Sequence, residues 1–152
     1  MLILIRGAGD IATGIALRLH RAGMQVVMTD LPHPTAIRRT VCFSPAIALG
    51  AAEVEGVRAV CARDVPHART LLAAGAVPVL ADPDCLCRRE LRPDALVDAI
   101  LAKRNLGTAL TDAPVVIGVG PGFTAGTDCH AVVETMRGHT LGRVIYEGSA
   151  LP

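Results

Sequence analysis

Aromatic side chains are almost missing from this sequence. There is no tryptophan, and Phe43, Phe123 and Tyr146 are the whole complement. The stacking platforms on which a single-strand nucleic-acid binder lays its bases are therefore absent. Strong net charge is missing too. The formal value is +1, so no long-range field steers the chain to nucleic acid or to an anionic membrane. No run approaches the ~18 apolar residues of a membrane span. A strand pattern opens at Leu2 and leaves no space for a signal peptide, so the expected compartment is cytoplasmic. Cysteines number five, an odd count with no visible disulfide framework. Cys85 and Cys87 are the only close pair, and Cys-x-Cys is not the usual zinc or redox spacing. With Cys129 and His130 they read as buried small residues before they read as ligands, and no metal site is expected. There is no nucleophile elbow of the Gly-x-Ser-x-Gly kind, no internal repeat and no linker.

What the chain does have is apolar residues, 51% of its 152. Many are Ala and Val in near-continuous runs, which suits one domain built on a parallel sheet covered by helices. The most informative stretch comes first. The apolar run Leu2 to Ile5 ends in Gly7-Ala8-Gly9 and passes directly into a helical pattern. Strand, glycine turn and helix in that order open a nucleotide-binding α/β domain. Gly7 permits the tight turn, Gly9 lets the backbone approach a phosphate, and Ala12 takes the third small position. The first turn of the helix, with Thr13 in it, offers unpaired N–H groups to an anion. Asp30 stands where an acid would hold a ribose hydroxyl. Asp10 argues against a phosphate, and its expected role is N-cap of the helix. The alternative is a turn whose glycines serve chain geometry alone.

Further along, Ile11, Ile15 and Leu19 mark an amphipathic helix that Gly23 can end. Gln25 to Thr29 reads as a second strand and Leu31 to Pro34 as a rigid loop. Thr35 to Thr40 and Ser44 to Leu49 read as short helices. Residues 53–57 read as a turn between short strands, and Asp64 to Ala74 as a helix capped by Asp64 and stopped by Gly75. Val77 to Leu80, Leu96 to Leu101 and Pro114 to Val119 read as buried strands. Ala131 to Thr135 and Leu141 to Tyr146 read as a final antiparallel pair. The expected fold is α/β, a Rossmann-like, mostly parallel sheet with helices on both faces and a small C-terminal hairpin.

A second glycine loop, Gly118 to Gly126, follows a strong strand. Gly120, Gly122 and Thr124 belong to a backbone that can lie against a ligand. Ligands of open parallel sheets bind beyond the carboxyl ends of the strands. This loop, the Gly7 turn, Asp30 and Lys103-Arg104-Asn105 are all expected at that edge. Arg38, Arg39, Lys103, Arg104 and Arg137 are phosphate ligands or solvated charges. Asp98 lies in an apolar strand, where an unpaired carboxylate is expensive; it pairs with a cation, caps a loop or acts as a base. His130, Glu134 and His139 are proton carriers or a polar sheet face.

Five stretches stand in order: Ile5 to His20, Pro34 to Arg39, Val97 to Asn105, Gly120 to Gly126 and Val133 to Arg143. Together they resemble the accessory protein of the selenium-dependent molybdenum hydroxylase system, the YqeB family, nearly end to end. That family is similar to the accessory proteins that mature xanthine dehydrogenase, which also carry a Rossmann domain. The resemblance implies a role in giving a molybdenum hydroxylase its labile selenium, with that hydroxylase as partner. It supplies no known reaction. Family members continue beyond the hairpin into a further domain, whereas this sequence stops at Leu151-Pro152, so a single domain over 1–152 without that C-terminal part is expected. Cys42, Cys85 and Cys87 are not family motif positions and are not assigned as selenium carriers.

Three functions follow as expectations. One is a maturation factor that binds a nucleotide or the pyrophosphate-bearing molybdenum cofactor. Another is an NAD(P)-dependent oxidoreductase, and the third is a scaffold that docks the hydroxylase through apolar surface. The apolar excess and the edge strands of the hairpin predict a homo-oligomer, with Val133, Leu141 or Ile145 near the interface.

Overall fold

The alternation of side chains along the first strand sets the layers of the molecule. The computed structural model describes residues Met1–Pro152. In β1 (Leu2–Arg6), Ile3 and Ile5 join one core and Leu4 joins another on the opposite face. Strand β2 (Gln25–Asp30) repeats this, sending Val26 and Met28 to the first core and Val27 to the second. A strand apolar on both faces must be covered on both. Helices α1 (Asp10–Arg21) and α2 (Pro45–Leu49) supply Ala12, Ala16, Leu17 and Ala46 to the first core. Helices α3 (Val65–Ala73) and α4 (Arg88–Leu91) supply Val65, Ala68 and Leu91 to the second. Each Val, Leu or Ile buried in this way contributes about 1.5–3 kcal/mol.

The remaining strands are β3 (Ala51–Val54), β4 (Val57–Ala62), β5 (Val77–Ala81), β6 (Ala95–Asp98), β7 (Val115–Val119), β8 (Ala131–Val133) and β9 (Val144–Ile145). They form one nine-stranded sheet in the order β3-β4-β5-β2-β1-β6-β7-β8-β9. Its centre is parallel, and an antiparallel pair closes each end. The α/β fold, the mostly parallel sheet and the C-terminal hairpin are as the sequence implies. From β1 the chain first builds outward through β2, then returns to add β6 on the other side. That reversal lies between β1 and β6.

Several local expectations need correction. Asp10 is not the N-cap of α1. Gly9 holds that position without a side-chain cap, and Asp10 is the first helical residue, its Oδ1 accepting from Ile11 N at 2.9 Å. Thr35 to Thr40 forms no α-helix; a single 3-10 turn covers Arg39–Val41. Ile37, the one large apolar residue there, is 96% exposed, so that segment has no face to bury. Strand β6 stops at Asp98 instead of Leu101. Asp98 Oδ1 accepts from Ile100 N at 3.2 Å, and Leu101 takes φ +62°, which ends the extended run. The short α4 has no counterpart in the sequence reading. Asp64 does cap α3, accepting from His67 N at 2.9 Å.

A candidate ligand cleft at the sheet edge

In an open parallel sheet the crevice lies where the strand order reverses, because the loops leaving the two neighbouring strands diverge there. Here those loops start at Gly7 and Ala99. Gly7 N donates to Thr29 O at 2.8 Å and Ala99 N to Arg6 O at 2.9 Å, so both loops leave in register with β1. Gly7 has φ +108°, and a Cβ on it would stand 3.0 Å from Ala99 O. Only glycine lets the two chains pass this closely. Beyond them opens a cleft of about 540 Å³ across the carboxyl ends of β5, β2, β1 and β6. That volume suits a cofactor-sized ligand.

One wall is the N-terminus of α1. Gly9 lines the cleft, and nothing lies within 4 Å of where its Cβ would be. Asp10 also lines it, and Arg38 Nη1 lies 3.6 Å from Asp10 Oδ2. The pair is exposed and contributes little stability, but it offsets the acid's charge beside the helix end. Asp30 lies at the carboxyl end of β2 in the same wall. Its Oδ1 accepts from Leu31 N at 2.8 Å. Burial pushes its carboxyl above the usual range, against the N–H groups of Leu31 and Ala8.

The floor holds a residue that sequence reasoning missed. Arg6 follows an apolar run directly, yet it is only 5% exposed and lines the cleft. Its Nη1 donates to Thr108 Oγ1 at 3.1 Å, and its Nη2 to Pro83 O and Leu106 O at 3.0 Å each. Thr108 Oγ1 in turn donates to Asp98 Oδ2 at 2.6 Å, which lies 3.8 Å from Arg6 Nη1. Asp98 thus pairs with a cation, one of the roles its sequence context suggests, and this engagement leaves it poorly placed to act as a base. The available signal was the acid itself: a buried carboxylate demands a buried cation, and Arg6 is the one that ends the neighbouring strand. Arg6 Nε has no hydrogen-bond partner in the protein, and Thr29 Oγ1 has none of good geometry, its side chain being set against the Cys85 thiol. Cys85 is buried close by. The adjoining Cys87 thiol pulls the Cys85 thiol below its usual value against burial, with help from Thr29 and Arg6.

The second glycine loop supports the cleft from behind. A Cβ on Gly120 would meet Leu101 Cδ2 at 2.8 Å, and one on Gly122 would meet Arg104 Cα at 2.6 Å. Leu101 lines the cleft; Gly120, Gly122 and Thr124 do not. Thr124 Oγ1 instead lies 3.1 Å from Ser149 Oγ. Thr13 is fully buried, its hydroxyl accepting from Phe43 N at 3.0 Å and donating to Ala8 O at 3.3 Å. Lys103, Arg104, Arg39 and Arg137 are exposed outside the lining. Asn105 braces its own loop, accepting from Gly107 N and Thr108 N. His130 Nδ1 accepts from Val116 N near the start of β7, at the opposite edge of the sheet. Glu134 is buried, its carboxylate taken up by three backbone N–H groups, and His139 is exposed in the hairpin loop. The structure therefore joins Gly7, Gly9 and Asp30 at one site and leaves the proposed proton carriers apart from it.

No helix is long and apolar enough to cross a membrane. No family model matches the chain, and no solved structure does. A curated protein does: residues of this chain are 56% identical over 149 positions, 98% of its length, to the uncharacterized protein YqeB of Escherichia coli strain K12. The chain spans 28% of that protein's length, and over that part the likeness supports kinship with YqeB.

Proposed function

We propose that this chain is the ligand-binding part of an accessory protein that matures a selenium-dependent molybdenum hydroxylase, and that its cleft takes a pyrophosphate-bearing nucleotide or the molybdenum cofactor. The observation that carries the binding reading is the cleft itself. It opens at the reversal of strand order, beside the uncapped N-terminus of α1, with Asp30 in the same wall. Gly9 leaves open the space a phosphate would fill, and the N–H groups of the first turn stabilise negative charge there. The hydroxylase enters through the five motifs that resemble the YqeB family. The titratable side chains around the cleft are Asp10, Asp30, Asp84 and the paired Arg6.

Thermal shift with NAD(H), NADP(H), ADP, ATP and molybdenum cofactor tests this reading. At least one pyrophosphate-bearing compound raises the melting temperature. Asp30→Ala weakens ribose-bearing ligands by about 10- to 100-fold, the size of a hydrogen bond to a charged group. No shift with any compound would sink the proposal.

A further inference from the structure

Asp82 winds the chain that follows β5 into a tight turn. Its carbonyl accepts from Cys85 N at 3.0 Å, its Oδ1 from Leu86 N at 3.0 Å and its Oδ2 from Cys87 N at 2.8 Å. Arg88 closes the turn from the far side, Nη1 donating to Cys85 O at 2.9 Å. Cys85 takes φ +54° here, a left-handed conformation that strains a non-glycine residue. The turn brings together two thiols whose spacing in the sequence suggests no shared chemistry. Cys85 is buried in the second core, Cys87 is half-buried against it, and neither is in a disulfide. The Cys87 thiol is set against the Cys85 sulfur and the Asp82 carboxylate.

The surroundings single out Cys85. Thr29 is 1% exposed and its hydroxyl has no oxygen or nitrogen partner, yet its side chain is set against the Cys85 thiol. A neutral thiol is a weak acceptor, whereas a thiolate is an anion that takes up hydrogen bonds and a nearby cation. The Cys87 thiol, the Thr29 hydroxyl and the Arg6 charge hold the Cys85 thiol below its usual value, against burial and the Asp82 carboxylate. The contact with Cys85, burial and Asp82 push the Cys87 thiol the other way. Two sulfurs thus share one proton, with the thiolate inside and the thiol toward the surface. The turn also carries Pro83 and Asp84 into the cleft lining, and Arg6 Nη2 holds Pro83 O, so the pair lies directly behind the cleft wall.

We infer that Cys85 and Cys87 form a two-electron thiol site that exchanges with small disulfides, Cys87 being the point of entry and Cys85 the sulfur that closes the bond. This chemistry does not depend on what the cleft binds. Cα atoms two residues apart lie within about 7 Å, and a turn keeps them inside the roughly 4.4–6.8 Å that a disulfide spans. In the first step Cys87 passes its proton to Cys85 and attacks one sulfur of the small disulfide. That S–S bond breaks and one small thiolate leaves. Cys85 then gives up the proton and attacks the Cys87 sulfur. The Cys85–Cys87 bond forms, the mixed disulfide breaks, and the second small thiolate leaves. The protein dithiol has lost two electrons and the small disulfide has gained them. The two released thiolates take up protons, one from the pair and one from water. The ring so closed is small and Cys85 is already strained, which makes the bond easily reduced and the exchange reversible.

The test incubates the whole folded chain with oxidised glutathione, quenches with acid, blocks remaining thiols with N-ethylmaleimide in urea, and weighs the tryptic peptides. Peptide Thr70–Arg88 holds Cys85 and Cys87 and no other cysteine. In wild type it becomes lighter by two hydrogens and takes no maleimide, and dithiothreitol reverses the change. Cys85→Ser keeps glutathione on Cys87 as a stable mixed disulfide. Thr29→Val slows ring closure at pH 7 by about tenfold, the size of one hydrogen bond to a charged group, and moves its pH midpoint upward. Thr29→Ser closes as wild type does. A wild-type peptide that carries two maleimides, or glutathione without ring closure, overturns the site. So does a folded Cys85→Ser that takes up no glutathione, or a Thr29→Val that closes with the wild-type rate and pH profile. Should Cys85→Ser fail to fold, the wild-type peptide and Thr29→Val decide the matter.

Discussion

Glycines that look alike in the sequence do different work in the structure. Gly7 and Gly122 are needed by the chain: both have positive φ, and a side chain on either would run into backbone, Ala99 O at 3.0 Å or Arg104 Cα at 2.6 Å. Gly9 is not. Its φ of −73° and ψ of −169° are open to any residue, and a Cβ there meets nothing within 4 Å. The space it leaves belongs to the cleft. Gly9→Val is therefore expected to fold, losing about 1 kcal/mol for a poorer N-cap, and to lose the stabilisation that a bound nucleotide gives. Paired melting curves with and without ligand check this. A full ligand shift in the variant would place the ligand away from α1.

Among the elements, the C-terminal hairpin depends on one carboxylate. Glu134 follows β8 and accepts from Thr135 N at 2.9 Å, Met136 N at 2.8 Å and Leu151 N at 2.9 Å. The hairpin and the last residues of the chain are tied together through it. These bonds favour the ionised form, and the ones from Leu151 and Met136 do most to hold its carboxyl below the usual range. A carboxyl whose value is lower in the folded state adds stability above its unfolded value, about pH 4.3, and loses it as the pH falls toward the folded value. Glu134→Gln is thus less stable than wild type at pH 7. The gap between them closes as the pH drops below about 4.3. Urea denaturation of both proteins from pH 7 to pH 3 measures it, and a gap independent of pH would show that the charge is irrelevant.

For the molecule as a whole, the open question is the sheet edge. Strand β9 ends the sheet, and Leu141, Val144 and Tyr146 around it are 58%, 46% and 72% exposed. Ile145, by contrast, packs on the protein's own core, which moves the expected contact from Ile145 to Leu141 and Val144. An apolar edge strand with unpaired N–H and C=O groups is a template for pairing with another copy, and two-fold pairing of like edges closes as a dimer. Light scattering at micromolar concentration is expected to give a dimer, and Val144→Lys a monomer. A wild-type monomer would remove the idea.

How much of this was legible in the sequence depends on the range of the interactions. The glycine turn, the strand before it, α1, the Asp64 cap and both β-hairpins follow from local chemistry: turn residues, caps and apolar period act over a few positions. Asp30 was legible as well, because its distance from the glycines is set by one βαβ unit. The tertiary structure alone decided the rest. Arg6 looks like the end of a strand until Asp98, Thr108, Pro83 and Leu106 arrive from 77 to 102 residues away to surround it. His130 and the Gly7 turn both sit at strand ends, but at opposite edges of the sheet, and only the direction of each strand separates them. Gly120 and Gly122 carry the sequence pattern of a ligand loop and are used to pack against Leu101 and Arg104. Sequence chemistry determined which segments could turn, cap and be buried. The order of strands in the sheet determined which of their ends would meet, because that order is set by burying both faces of the sheet at once.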